Sequence, residues 1–214
     1  MSRPTARAAV AVSVALLVSL SGCTVQPSPT PSAAEPSPSS SEPPTVQISL
    51  DDGDLLDPAQ TASWADPLDG AAGYTVVTAD DGDGSWSYRS EATDCVVGYW
   101  HGALPDSGEG DGDAADSDLL LAAQFGTTAE EIASFARDDL APFRTPSELV
   151  QTRAVAGADS ETATTYLVAA RAFAALDMGF VATLRCPSTT DVRDMWALLS
   201  SDPNAFQLVF SGTG

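Results

Sequence analysis

The residue types best suited to chemistry meet in one short stretch. Gly98-Tyr99-Trp100-His101-Gly102 holds the chain's single histidine beside two large aromatic side chains. An imidazole that titrates near neutrality is the usual general acid or base. One histidine is also enough for a Ser-His-Asp arrangement. No G-x-S-x-G elbow is present to present the serine. Serine and aspartate are spread along the whole chain, so neither type singles out a partner for His101. A hydrolase using His101 with a Ser/Asp neighbour therefore stands as the alternative reading, and no catalytic residue is assigned. Zinc sites need several His or Cys ligands. A lone histidine does not supply them, and neither a metal nor a cofactor is expected.

The aromatic set Trp64, Trp86, Tyr88, Tyr99 and Trp100 offers the other kind of chemistry, a stacking surface. Trp86, Tyr99, Trp100 and His101 are taken as a candidate binding face for an envelope protein or a glycan. Successive residues of a strand point to opposite faces. Tyr99 and Trp100 therefore cannot both enter the core of a one-sided sheet, and one of them lies under a helix or is exposed. Two acidic glycine-containing loops invite comparison with a calcium loop, which needs Gly at position 6 and Glu at position 12. Counting from Asp81 puts Trp86 and Ala92 there, and counting from Glu109 puts Ala114 and Leu120 there. Both loops fail, and both are read as solvated acidic turns.

The elements that must position these residues follow from periodicity. Residues 50–73 are polar and turn-rich, an irregular lead-in. Strands are expected at 74–79, 85–90 and 94–104, with a turn at 80–84. Residues 105–118 read as a loop, followed by a short helix that stops at Gly126. Thr128 and Glu131 form a capping box for a second helix. Its apolar positions Ile132, Phe135, Ala136 and Leu140 keep helical spacing up to Pro142. Strands follow at 148–155, at 162–176 and at 177–186, the last two as a hairpin through Asp177-Met178-Gly179. The alanines of 162–176 suit a helix, but Thr164, Thr165, Tyr166 and Val168 favour a strand. Ser188 and Asp191 cap a helix with Val192, Met195, Leu198 and Leu199 on one face, and 205–210 closes as a strand. Strands grouped with strands, and helices between the groups, predict an α+β fold with an antiparallel sheet and covering helices. This element order resembles the PsbP-like sandwiches, to which the LpqN-type bacterial lipoproteins are similar.

The N-terminus carries an address. Arg3 and Arg7 precede an uncharged apolar stretch from Ala8 to Leu20, 13 residues long. A spanning helix needs about 20 apolar residues, whereas a basic start and a short apolar core make a secretory signal peptide. The stretch ends in Leu20-Ser21-Gly22-Cys23. That motif resembles the lipobox of bacterial lipoproteins. The resemblance implies cleavage after Gly22, so that residues 1–22 are the signal peptide and Cys23 becomes the acylated N-terminus. Several acyl chains on one residue hold a membrane far better than a single chain does. Residues 24–45 hold seven of the fifteen prolines, mostly separated by Ser and Thr. Residues 23–45 thus read as a lipidated cysteine and a disordered stalk. An extended stalk of that length reaches ~65–70 Å at ~3.1 Å per residue.

Composition limits the partners. Without Arg3 and Arg7 the chain keeps seven arginines and no lysine against thirty acidic residues, a formal charge of −23. Such a surface repels nucleic acid and anionic headgroups, so no nucleic acid is expected and membrane contact runs through the lipid. With Cys23 acylated, Cys95 and Cys186 remain as an even pair in an exported chain, and a disulfide is expected. Residues 46–214 form one disulfide-clamped domain in this reading. The chain is read as a lipid-anchored protein of the cell membrane, facing outside the cytoplasm, with a non-enzymatic binding or structural role at the envelope.

Overall fold

In Thr164–Phe173 every side chain from Leu167 onward is buried, and alternate residues enter two different cores. Leu167, Ala169 and Phe173 belong to one cluster, and Val168, Ala170 and Ala172 to the other. A strand that reads as a continuous apolar run is one covered on both faces. The neighbouring strand Met178–Pro187 divides in the same way, with Phe180, Ala182 and Leu184 on the first side and Val181 on the second. These two strands form the middle of a computed structural model that describes residues 47–51, 56–105, 112–201 and 204–212. The expected signal peptide, Cys23 and the expected stalk lie outside the described residues.

The elements run β1 (Gln47–Ile48), β2 (Thr61–Trp64), β3 (Tyr74–Thr78), β4 (Ser85–Ser90), β5 (Val96–Ala103), α1 (Gly112–Phe125) and α2 (Ala129–Phe135). They continue with β6 (Phe143–Arg144), β7 (Leu149–Val150), β8 (Arg153–Asp159), β9 (Thr164–Phe173), β10 (Met178–Pro187), α3 (Val192–Ser201) and β11 (Leu208–Ser211). Six strands make an antiparallel sheet in the order β3-β4-β5-β10-β9-β8. One face is covered by α1 and α2 through Leu120, Leu121 and Ile132. The other is covered by Met195, Trp196 and Leu199 of α3 and by two small sheets, β1-β7-β6 and β11-β2. The fold is α+β with an antiparallel sheet and covering helices, as the sequence predicts. No helix of the described residues is long and apolar enough to cross a membrane.

The join at the sheet's centre is β5 with β10, which brings Val96 opposite Arg185 across the interior of the chain. Cys95 and Cys186 are bonded at this join, buried, with 91 residues of separation. Closing a loop of that length removes ~4–5 kcal/mol of denatured-state entropy in the chain-entropy model.

Several boundaries differ from the sequence reading, each for a tertiary reason. The acidic stretch expected as a loop to residue 118 is helical from Gly112, with Asp113, Asp116 and Asp118 buried. The Asp113 carboxylate accepts from Arg171 of β9 at 2.6 Å, and neither side chain is exposed. Arg171 also donates to the carbonyls of Gln151 and Ser49, at 3.1 and 3.0 Å. Asp113 accepts the backbone N–H of Ala174 at 2.9 Å. Asp118 pairs with Arg153 of β8 at 2.8 Å. Ser117 accepts from the Ala172 N–H at 2.9 Å. The hydroxyl of Thr128 caps α2 by accepting the Glu131 N–H at 3.2 Å. Glu131 turns to Thr127 instead of closing the box. That helix ends at Phe135, because Arg137 and Ala154 exchange backbone hydrogen bonds at 2.9 Å. Ile132 and Ala136 then serve one core and Leu140 the other, which is why their spacing looked like one helix.

The remaining differences are local. The strand expected at 148–155 is interrupted by buried Thr152, whose hydroxyl donates to the Ala141 carbonyl at 2.7 Å. Asp191 alone caps α3, accepting the N–H of Arg193 and Asp194 at 2.8 and 3.3 Å. The buried face of α3 uses Trp196 and leaves Leu198 exposed. The lead-in contains β2, which pairs with β11, and the strand expected at 205–210 lies at Leu208–Ser211.

Removing one partner of a buried pair leaves an uncompensated charge. Arg171→Met is therefore expected to lower stability by ~3–5 kcal/mol in urea unfolding. Arg171→Met combined with Asp113→Leu should lose less than the single variant, because both charges leave together. A double variant as unstable as the sum of the singles would show that the pair acts through packing alone.

The disulfide gives a separate check. Thiol counting under denaturing, non-reducing conditions on a Cys23→Ala chain is expected to return zero. Two reactive thiols would mean that Cys95 and Cys186 are not bridged in solution.

Candidate functional site

Two residues apart on a strand means the same face. Trp86 and Tyr88 of β4 therefore share a side, and so do Tyr99 and His101 of β5. Trp86 lies opposite Tyr99 in the register. Their rings stack with centroids 5.4 Å apart and planes 19° from parallel. His101 meets Trp86 edge-on at 5.5 Å and 73°. Trp64, carried by β2, stands edge-on to Tyr99 at 5.3 Å and to Phe180 at 5.6 Å. Its indole N–H donates to the Trp100 carbonyl at 3.1 Å. The Tyr99 hydroxyl donates to the Ala205 carbonyl at 3.1 Å, locking the ring beneath the others.

A cleft of about 390 Å³ opens above these rings. Trp64, Trp86, Tyr88 and His101 supply its aromatic wall, and Asp66, Asp69 and Asp80 its carboxylates. Val76, which is exposed, and Thr78 bring in the edge strand β3. Its volume falls in the range of small-ligand sites.

Asp66 has a left-handed backbone, φ 46°, in a residue that is not glycine. Its Oδ2 accepts the Tyr88 hydroxyl at 2.8 Å. Burial raises the Tyr88 pKa, reinforced by the hydrogen bond to Asp66 and by the nearby carboxylates, so the phenol stays protonated. The Tyr99 hydroxyl is raised well above the phenol range, chiefly by burial. Three shielded polar atoms of residues that line the cleft have no hydrogen-bond partner among the described residues: Asp66 Oδ1, Trp86 Nε1 and His101 Nδ1. Buried polar atoms are nearly always satisfied, and each exception calls for an explanation.

The turn before β4 fixes one side of the cleft. Gly84 has φ +76°, and a Cβ built on it would lie 2.2 Å from the His101 carbonyl oxygen. Only glycine lets the turn close on β5, and the Gly84 carbonyl then accepts the His101 N–H at 3.0 Å. Asp80 Oδ1 accepts the N–H groups of Gly82 and Gly84, at 2.8 and 3.3 Å.

The four residues proposed from sequence do not share one face. Trp86 and His101 line the cleft, and Tyr99 lies packed against Trp86. Trp100 points to the opposite side of the sheet and packs on the α1 core. Sequence reasoning did not single out Asp66, Asp69 and Asp80, because no local signal separates them from the other acids. His101 has three carboxylates around its cleft but no serine among the described lining residues.

The turn also gathers Asp80, Asp81 and Asp83, whose carboxylate oxygens lie within 4.8 Å of one another and are exposed. Asp80 and Asp83 spend an oxygen on the turn's own N–H groups. Of the acidic loop expected at 105–118, residues 112–118 are the start of α1, with Asp113, Asp116 and Asp118 buried.

No family model matches this chain, and no curated protein is similar to it. A crystal structure of a protein from Bacteroides thetaiotaomicron is similar over 75% of this chain and 47% of its own, at 8% identity and a TM-score of 0.35. The chain thus matches about half the length of that protein.

Calcium and magnesium at matched ionic strength are expected to shift the melting temperature alike, through screening alone. A specific site filled to ~100 times its Kd would add ~2.7 kcal/mol. A calcium-only shift of that size, abolished by Asp81→Ala with Asp83→Ala, would establish a metal site at the turn.

Proposed function

We propose that this chain is a lipid-anchored envelope protein that holds a ligand in the aromatic cleft and does not transform it. The observation that carries the binding reading is the cleft itself, with aromatic rings fixed by packing and three carboxylates in its wall. Rigid, pre-formed surroundings of this kind favour binding. A hydrolase reading needs a nucleophile beside His101 or a carboxylate that orients it. Among the described residues His101 Nδ1 has no hydrogen-bond partner, so no carboxylate of the wall orients it there.

The anchoring half rests on the resemblance of Leu20-Ser21-Gly22-Cys23 to a lipobox and on the proline-rich segment behind it. A stalk of that composition lets the cleft sample ligands away from the membrane surface. The ligand is an envelope component, protein or glycan, met outside the cytoplasm.

Labelling cells with a radioactive fatty acid is expected to mark the wild-type chain and not Cys23→Ala, which should leave the membrane fraction or accumulate uncleaved. Label retained on Cys23→Ala would sink the lipid-anchor assignment.

A further inference from the structure

We propose that the cleft receives an organic cation, an ammonium group carried by a small amine or by a lysine side chain. The proposal rests on reading the cleft as a ligand site and names the chemistry of its occupant. Three carboxylates line the cleft, and no arginine stands among the described residues of its wall. The chain contains no lysine at all. An anion would meet uncompensated negative charge there. A neutral sugar could form hydrogen bonds but would leave that charge in place.

The aromatic wall supplies the second half of the argument. Trp64, Trp86 and Tyr88 line the same cleft as the carboxylates, and aromatic rings attract cations, tryptophan most strongly. Trp86 cannot swing away, because Tyr99 stacks on it and His101 abuts it. Exposed Val76 at the rim offers apolar surface to the methyl or methylene groups that flank an ammonium nitrogen.

The Asp66 carboxylate sharpens the fit. Its Oδ2 is held by Tyr88, and Oδ1, shielded from solvent, has no donor among the described residues. An ammonium group in the cleft brings opposite charge to this carboxylate and, when it carries hydrogens, donates to exposed Asp69. Trp86 is only 9% exposed, which keeps its ring fixed in the wall of the cleft.

The test titrates the full chain with choline, with a blocked lysine (Nα-acetyl-lysine methylamide) and with neopentyl carbinol, the uncharged carbon isostere of choline. Calorimetry and tryptophan emission report binding. At least one cation is expected to bind about tenfold tighter than the neutral isostere, with affinity falling as salt rises. Preference for choline over the blocked lysine would assign a small amine, and the reverse a peptide. Asp66→Asn keeps an acceptor for Tyr88 and removes the charge, so it should weaken the cation and leave the isostere unchanged. Asp69→Asn, at an exposed position, repeats the test without touching the packed wall. Equal affinity for choline and its isostere, lost in Trp86→Phe, would overturn the cation while keeping the cleft as a ligand site. No response to any of the three probes, with the wild-type melting curve intact, would overturn the cation, and further silence toward envelope glycans would remove the binding reading with it.

Discussion

The fully buried charge of Arg171 is the constraint around which the fold is arranged. A guanidinium taken out of water is costly unless its partners are close and well aimed. Here those partners come from four separate places: Asp113 at the start of α1, Ser49 beyond β1, Gln151 between β7 and β8, and the ring of Phe173 at 4.7 Å. Asp113 in turn accepts from Ala174, just past the end of β9. An acid in the first turn of a helix is also favoured by the helix dipole. One cation therefore sets where α1 begins, how it lies on β9 and how the small sheet meets the large one. An apolar replacement of similar volume could match the pair in stability. It could not reproduce this many directional contacts, and so it would specify the arrangement less well.

The cleft depends on a different join. Its rings stand on β4 and β5, whereas the ring packed below them, Phe180, stands on β10. The β5–β10 pairing brings these pieces together across most of the domain sequence, and Cys95–Cys186 clamps it. β2 then delivers Trp64 and Asp66 over the top, secured by its pairing with β11. The site is assembled from β2, from the neighbouring strands β3, β4 and β5 and from β10 beneath them, and no single local segment contains it.

That assembly explains what could be read in the sequence. The strand at 85–90 was legible because its alternation is local, and 164–173 because β-branched residues lead it. The stop at Gly126 was legible because it is φ-positive glycine chemistry, φ +64°. The disulfide followed from cysteine count and an expected compartment. The start of α1 was not legible. Asp113, Asp116 and Asp118 look like solvated loop acids until Arg171 and Arg153 are known to lie against two of them, 58 and 35 residues away. The same holds for the cleft. Trp86 and His101 could be named by type, while Asp66 became a site residue only when β2 crossed the β4–β5 hairpin.

The acidity of the chain divides into two physical roles. Acids on α1 draw Arg153 and Arg171 inward, where they are matched charge for charge or better. That leaves five other arginines among the described residues to face the remaining acids, so the exterior carries the net charge. A field of that kind gathers cations of every sort near the surface, but over only ~8 Å at physiological ionic strength. It cannot select among them. Selection requires a place where water is partly excluded and the negative charge is framed by fixed rings. The rings around the cleft are fixed, because Tyr88 and Tyr99 are kept as neutral phenols and pinned by hydrogen bonds to Asp66 and Ala205. In the proposed reading the general field brings cations close, and the geometry held by β2, β4 and β5 decides which of them stays.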